Sequence, residues 1–227
     1  MKIKIWSDFV CPFCYIGGKH LEQALSQLNK NIEVEYMSYE LDPHNEPIKG
    51  ITMVEMLIQK YGMSEEDAIV NVERVDDMAH SAGLEFNGAS AVQANTFKAH
   101  KVMQFAKTKG LGTALFETYY KYHFVDGKDL SDDNVLIEGP VLNGLAEVDI
   151  LEVLRNDDFG LSVRNDEAWA STNGVRGVPF YLIDDQVSLS GAQPVETFKE
   201  AINHVISLNF SKQNDGMVCG PDGCIIE

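Results

Sequence analysis

Long apolar runs and positive charge are both scarce in this chain, and each shortage excludes a class of protein. No apolar run approaches the ~20 residues that a membrane-spanning helix needs, so a membrane protein is not expected. Lys and Arg together number 18 against 35 Asp and Glu, which gives a net charge of −17. Such a surface cannot release counterions from nucleic acid or attract anionic lipid. We therefore expect neither as a partner, and attribute the charge to solubility or to a preference for basic client proteins.

Cysteine is scarce as well, and its four copies form two close pairs, Cys11/Cys14 and Cys219/Cys224. We expect no secretory leader, because a strand pattern begins at Lys2 and the first cysteine stands at position 11. We expect a cytoplasmic protein, unless a leader was cut away and a start Met added. In a reducing compartment, paired thiols indicate exchange chemistry or a metal site rather than permanent disulfides.

The first pair lies where a strand pattern changes into a helix pattern. Residues 2–6 alternate polar with apolar, which is typical of a half-buried strand. Apolar residues then recur at helical spacing at Leu21, Ala24, Leu25 and Leu28. Pro12 suits the first helical position, which makes Cys11 the N-cap. A sulfur there faces free backbone N–H groups and the positive end of the helix dipole, and both favour the thiolate.

Cys11 is therefore predicted to be the attacking thiolate and Cys14, one turn further on the same face, the resolving thiol. A bare Cys-x-x-Cys motif could equally be half of a zinc site or two structural thiols. The strand–motif–helix context favours redox chemistry. Asp8 is interpreted either as a buried proton acceptor for Cys14 or as a surface carboxylate.

The chain order predicts three parts, with no internal repeat. A strand–helix–strand unit fills the first forty residues, and only helical patterns follow from about 50 to 173, including one from near Ser90 to Lys109. Strand patterns return at 178–183 and 186–190, before a last helix and a polar linker from Ser211 to Gly216. We predict one domain from residues 1–47 and 173–210, an inserted helical domain at 48–172, and a tail at 211–227.

Four blocks of this sequence resemble the DsbA-like thioredoxin-fold proteins, and among them the FrnE-like oxidoreductases. The first block is residues 7–17 (SDFVCPFCYIG), and the second is Ala94-Asn95-Thr96-x-x-Ala99-His100. The third begins Gly174-Val175-x-Gly177-Val178-Pro179, and the fourth is Ser190-Gly191-Ala192-Gln193-Pro194. The resemblance covers essentially the whole chain, in the family's order. It implies an α/β fold: a thioredoxin fold with an inserted all-helical domain and, here, a cysteine-bearing C-terminal tail.

The resemblance implies thiol–disulfide exchange with protein or small disulfides, and a cis peptide bond before Pro179. From the residues alone, a proline in a strand is either an ordinary trans edge residue or a bend. A cis bond opposite Cys11 would expose the Val178 backbone to an extended client. We expect Pro12, Phe13, Val178 and Pro179 to contact the substrate.

Phe13 stands where DsbA has a histidine, so we expect a weaker oxidant than DsbA. Asn95 and His100 are placed on the third inserted helix, where we expect them to line the domain interface rather than to act in catalysis. The remaining histidines show no ligand spacing. The aromatic residues between 116 and 124 are expected to be mostly core, with a client groove as the alternative.

The prediction is thus a protein-disulfide oxidoreductase or isomerase without a cofactor, with glutathione as a possible reductant. Its partners would be disulfide-containing clients or small thiols, and it would be a monomer or a dimer. Cys219 and Cys224 would form a second redox pair, with a static disulfide or a shared zinc site as alternatives. One alternative function is a glutathione-dependent isomerase or transferase of the hydroxychromene-carboxylate or kappa type, which has serine at the position of Cys11. The other is a zinc-holding or chaperone-like module.

Overall fold

The computed structural model describes residues 1–44, 46–48, 50–215, 217–220 and 223–226, with side chains described as far as residue 211. The chain opens with strand β1 (Lys2–Ser7), helix α1 (Pro12–Leu28) and strand β2 (Glu33–Ser38). Strands β1 and β2 are parallel, in register from Lys2 opposite Glu33 to Ser7 opposite Ser38. The predicted strand–helix–strand unit is confirmed, and α1 is the crossover that parallel neighbours require.

The described residues between β2 and the next strand of the sheet are mainly helical. They form α2 (Met53–Tyr61), α3 (Glu65–Ser81), a 3-10 helix (Gly88–Ser90), α4 (Phe97–Thr108), α5 (Gly112–Phe124), α6 (Asp133–Leu142), α7 (Glu147–Arg155) and α8 (Gly160–Thr172). The sequence explains the start of α2 in detail. The Thr52 hydroxyl accepts a hydrogen bond from the Glu55 N–H at 3.3 Å, and the Glu55 carboxylate accepts one from the Thr52 N–H at 2.9 Å. This reciprocal cap satisfies two backbone donors at once.

The predicted start of the third inserted helix near Ser90 is wrong, because α4 begins at Phe97. Residues just after Ser90 are extended and pair with the segment before α2. Val92 forms a β-bridge with Thr52, and the Met53 N–H donates to the Ala91 carbonyl at 3.0 Å. An extended backbone that pairs across cannot make helical hydrogen bonds. Asn95 therefore lies before α4, not on it.

The sheet is completed by β3 (Phe180–Ile183) and β4 (Val187–Ser190) and has the order β2–β1–β3–β4. β3 runs antiparallel to both β1 and β4. The two residues of the β3–β4 turn, Asp184 and Asp185, have φ values of 51° and 54°. Two successive left-handed residues give the turn whose twist suits a two-residue hairpin, and aspartate tolerates that conformation.

The C-terminal part begins with α9 (Val195–Asp215), followed by a hairpin of β5 (Met217–Gly220) and β6 (Gly223–Ile226). The predicted linker from Ser211 is wrong, since α9 continues to Asp215. Ser211 to Asp215 contain neither proline nor glycine, and polar residues of this kind are compatible with an exposed helix.

The main core is shared between the sheet and the helices. One cluster of buried apolar residues includes Ile3 and Ile5 of β1, Val102 of α4, Phe116 of α5 and Phe198 of α9. The aromatic residues of α5 are buried, so the prediction that they are mostly core is confirmed. The predicted division into domains at residues 47, 172 and 210 stays a prediction. Because the core crosses the first two boundaries, neither the sheet domain nor the inserted helices bury their apolar faces alone.

Helix α1 packs closely against the sheet at Gly17. A Cβ placed on Gly17 would lie 2.2 Å from the Tyr181 hydroxyl oxygen, 3.2 Å from the Ala192 Cα and 3.4 Å from the Pro179 Cγ. The absence of a side chain therefore lets the start of α1 approach both β3 and the Pro179 segment. A Cβ on the neighbouring Gly18 would meet only the end of one side chain, the Tyr36 hydroxyl, at 3.0 Å.

Gly17→Ala should therefore destabilise the protein relative to Gly18→Ala. Both changes gain the same helix propensity, roughly 1 kcal/mol, so their difference isolates the clash. We expect a difference of about 1–3 kcal/mol in the free energy of unfolding, the usual cost of overpacking. Urea unfolding of the two variants measures it. Equal stabilities would contradict the close approach of α1 to Tyr181.

Candidate active site

Cys11 occupies the position predicted for it, the N-cap of α1, with Pro12 as the first helical residue. The Cys11 N–H donates to the Asp8 carbonyl at 3.2 Å, and the Cys11 carbonyl accepts from the Cys14 N–H at 3.0 Å. No side chain in the described part of the structure caps this helix end. Pro12 has no N–H and the Cys14 N–H is used within the turn, so among the described residues of this turn the Phe13 N–H, together with the helix dipole, is available to stabilise a negative sulfur.

The segment that enters β3 lies against Cys11. The Val178–Pro179 peptide bond is cis, as the resemblance implied. The Cys11 Sγ is 3.7 Å from the Val178 carbonyl oxygen, within hydrogen-bonding distance of a thiol. Cys11 and Val178 are 167 positions apart in the chain, and they lie close together because β3 pairs antiparallel with β1.

Cys14 is buried beneath the same turn, and both Cys11 and Cys14 are free thiols. Burial raises the pKa of the Cys14 thiol well above its ordinary value, and the adjacent Cys11 sulfur raises it further. The Ser7 hydroxyl and the Asp8 backbone oppose that rise through hydrogen bonds to the sulfur. Cys14 is thus a protonated thiol at neutral pH, shielded from solvent.

Helix α5 orders the residues next to Cys14. The Tyr120 hydroxyl lies 2.7 Å from the Ser7 hydroxyl, and both groups are buried. The Tyr120 hydroxyl also donates to the Asp8 carbonyl at 3.4 Å. Ser7 and Tyr120 were not singled out by the sequence analysis, because a hydroxyl pair from distant segments leaves no spacing signal.

Asp8 and His100 form a second buried contact in the loop before Cys11. Asp8 is only 1% exposed, so its interpretation as a surface carboxylate is wrong. Its Oδ2 accepts a hydrogen bond from the Leu41 N–H at 2.7 Å, and its Oδ1 lies 3.4 Å from the His100 Nε2. His100, on α4, is fully buried with its ring 4.7 Å from that of Phe9. It lies between α4 and the β1–α1 loop, where the interface was expected.

A cavity of about 480 Å³ opens beside the Cys11 sulfur. Its lining includes Cys11, Pro12, Phe13 and Val178, together with residues of α2 and α3. Phe13 is 38% exposed, the least buried member of this group. The cavity thus brings together Cys11 and three of the four residues predicted to contact substrate, Pro12, Phe13 and Val178. It also places them against the helices inserted between β2 and β3.

His123, at the end of α5, lines the same cavity and was not predicted to belong to a site. It is fully buried, and neither ring nitrogen makes a hydrogen bond of good geometry with a described residue. Burial lowers the pKa of its imidazole to about 4, although the carboxylates of Asp8 and Asp129 and the Lys128 backbone act in the opposite direction. His123 is therefore uncharged at neutral pH.

The second predicted redox pair can be placed only by its backbone. Cys219 of β5 is directly opposite Cys224 of β6. The side chains of both residues lie outside the described part of the structure, so their pairing stays a prediction. Among the side chains that are described, no group of three or more His, Cys, Asp or Glu is placed to hold a metal ion. Nor does any described helix have the length and apolar character to span a membrane.

The fold and the site match known proteins. The family model of the DSBA-like thioredoxin domain matches residues 2–203. This chain belongs to that family. This match confirms the predicted DsbA-like family and thioredoxin fold. The structural relatives are consistent with the predicted FrnE-like branch.

A probable DsbA oxidoreductase from Streptomyces coelicolor is 33% identical and superposes with a TM-score of 0.85, covering 100% of this chain and 99% of that one. Protein YwbO of Bacillus subtilis (strain 168) is 26% identical over 218 residues, 88% of this chain and 95% of its own length. The cytosolic disulfide reductase DsbM from Pseudomonas aeruginosa shares the fold, with a TM-score of 0.64 at 16% identity over 92% of this chain and 100% of its own.

The pH dependence of stability should report His123. Between pH 6.5 and about 4 the unfolded chain binds a proton that the folded protein excludes, so stability falls as the pH is lowered through this range. In the wild type, this proton uptake lowers the free energy of unfolding by about 3 kcal/mol between those limits, the product of the pKa difference and ~1.4 kcal/mol per pKa unit. His123→Phe should remove that loss of stability. Urea unfolding at several pH values measures the change. His204→Gln, at an exposed position, serves as the control, and an unchanged pH profile in His123→Phe would refute a buried neutral imidazole.

Proposed function

We propose that this DSBA-like protein is a thiol–disulfide oxidoreductase or isomerase that acts through Cys11 and Cys14. The observation that carries the proposal is the pair of free thiols at the start of α1, with the carbonyl of Val178 3.7 Å from the Cys11 sulfur. A nucleophilic thiolate needs a positive environment, and a helix N-terminus supplies one. The proposed substrates are disulfides of client proteins or of small molecules.

Exchange proceeds in two displacements. The Cys11 thiolate attacks one sulfur of the substrate disulfide, forms a mixed disulfide and releases the other sulfur as a thiolate. Cys14 then loses its proton and attacks the Cys11 sulfur, which releases the second thiolate and leaves a Cys11–Cys14 disulfide. Two electrons have passed from the protein to the substrate, and the reverse sequence oxidises a dithiol.

The two cysteines suit these different roles. The raised pKa of Cys14 keeps it protonated while Cys11 attacks, so the mixed disulfide is not resolved prematurely. Asp8, whose Oδ1 makes no hydrogen bond with a described residue, is the carboxylate that we assign as acceptor of the Cys14 proton. Its backbone already contacts the Cys14 sulfur.

Substrate contact is assigned to Pro12, Phe13, Val178 and Pro179, which border the turn at Cys11. An extended client can pair with the backbone at Val178, while Phe13 offers an exposed apolar contact. No resident cofactor is required, and a small thiol such as glutathione would return the Cys11–Cys14 disulfide to the dithiol. The protein would act in the cytoplasm, where the structural relative DsbM is a disulfide reductase.

Replacing each cysteine separately distinguishes these roles. Cys11→Ser should reduce insulin disulfides no faster than the uncatalysed reaction, because the hydroxyl of serine is not ionised at neutral pH. Cys14→Ser should instead accumulate mixed disulfides with the substrate, since the second displacement is lost. Turbidity of reduced insulin and mass spectrometry of the intact protein measure the two effects. Wild-type turnover by Cys11→Ser, with Cys219 and Cys224 intact, would disprove the assignment.

We also propose that Cys219 and Cys224 form a second redox couple that exchanges with Cys11 and Cys14. Directly opposed residues in an antiparallel hairpin have their Cα atoms ~4.5–5.5 Å apart, which a disulfide can span.

Replacing Cys219 and Cys224 by serine should slow the recycling of the Cys11–Cys14 disulfide. Alkylation of free thiols and gel mobility measure the recycling rate. If recycling keeps its wild-type rate and Cys14→Ser traps no crosslink between Cys11 and the tail, there is no exchange. Zinc content after purification tests the shared metal site.

A further inference from the structure

The cavity beside Cys11 indicates which disulfides can reach the sulfur. We propose that it binds the apolar half of a low-molecular-weight disulfide and holds the sulfur–sulfur bond against Cys11. The inference rests on the proposed thiol–disulfide exchange and names the substrate class of that reaction.

Access to the sulfurs is the first argument. Cys11 is 3% exposed and Cys14 is 1% exposed, so a disulfide must enter the cavity to be attacked. A disulfide within a protein is tethered by chain segments on both sulfurs, which limits how far it can enter. A small disulfide carries no such segments, and its whole body can enter.

The size and walls of the cavity are the second argument. Its volume of about 480 Å³ lies within the ~300–1,000 Å³ that is typical of sites for small organic molecules. Most of the wall is apolar and comes from the inserted helices and the segments next to them. It includes Met53, Met56, Met63, Val75, Phe86 and Phe124. Methionine side chains adapt to irregular shapes, and aromatic rings offer flat contact surfaces, so the walls suit a compact apolar group.

His123 is the third and independent argument. Its side chain is fully buried at the cavity wall, and its two ring nitrogens make no hydrogen bond of good geometry with a described residue. A neutral imidazole offers one donor and one acceptor. A polar group on a bound molecule would satisfy one of them. The proposed ligand is therefore an apolar body that also carries a hydrogen-bonding group.

The carboxylates of the cavity do not call for a cationic ligand, because each has a partner within the protein. Asp8 accepts from the Leu41 N–H at 2.7 Å, Asp42 pairs with Lys60 at 2.5 Å, and Asp76 accepts from the Gly88 N–H at 3.0 Å.

The reaction follows the two displacements of the proposed function. The Cys11 thiolate bonds to the sulfur of the apolar half, and the other half leaves as a thiolate that takes a proton from solvent. Cys14 gives up its proton and displaces the apolar thiolate from Cys11. The substrate gains two electrons and two protons. Added glutathione then reduces the Cys11–Cys14 disulfide and is itself oxidised to its disulfide.

The test compares two disulfides that differ in one half. One is 2-hydroxyethyl disulfide, and the other is the mixed disulfide of 2-mercaptoethanol with 2-(4-hydroxyphenyl)ethanethiol. With glutathione as reductant and product thiols measured by chromatography, the wild type should show a kcat/KM at least about tenfold higher for the aromatic compound, the effect of burying much of one ring.

Met56→Trp fills the cavity from α2, and Met78→Trp makes the same change at an exposed position of α3. Met56→Trp should lose the preference, to within about twofold, whereas Met78→Trp should behave as the wild type. Calorimetry with the unreactive thioether analogue of the aromatic compound measures binding without turnover. Wild type and Cys11→Ser should bind it, and Met56→Trp should not.

Equal kcat/KM values for the two disulfides, or a preference that survives in Met56→Trp, would overturn the inference while the proposed function stands. If Met56→Trp loses insulin reduction and the wild type shows no preference among small disulfides, the cavity binds a side chain of a protein substrate. That result would also overturn the inference. If the thioether binds but neither disulfide is reduced, the proposed function fails and the ligand class of the cavity stands.

Discussion

The loop between β1 and α1 is fixed by an aromatic stack, and the geometry of the dithiol depends on it. The Phe9 ring lies 4.1 Å from that of Phe116 on α5 and 4.7 Å from that of His100 on α4. Stacked aromatic pairs add to the free energy gained by burying their surface. With Phe9 held between two helices, Asp8 is drawn beneath the surface and Cys11 is left at the start of α1.

The same packing makes the two cysteines chemically unequal. Cys11 ends the loop and faces the Val178 carbonyl and a cavity, whereas Cys14 points inward, where burial raises the pKa of its thiol. The helices inserted between β2 and β3 are therefore part of the candidate site: α5 contributes Tyr120 and His123, and α2 and α3 contribute to the lining of the cavity. A sheet and one helix alone would leave both sulfurs open to water.

The sequence alone was sufficient wherever the signal is local. The alternation of residues 2–6, the apolar spacing of α1 and the position of Pro12 after Cys11 are each decided by interactions within a few residues. Their positions were predicted correctly for that reason. The start of α4 was not, because Val92 pairs with Thr52, forty positions earlier in the chain.

The sequence by itself determined most elements of the fold and the position of Cys11 and Cys14 at the start of α1, since strand period, helix period and N-capping are properties of short segments. Only the tertiary structure decided that Asp8 is buried, that Ser7 meets Tyr120 and that His123 borders the cavity beside Cys11. These contacts join residues that are far apart in the chain. Their burial follows from how helices and sheet pack, which no local pattern of residue types encodes.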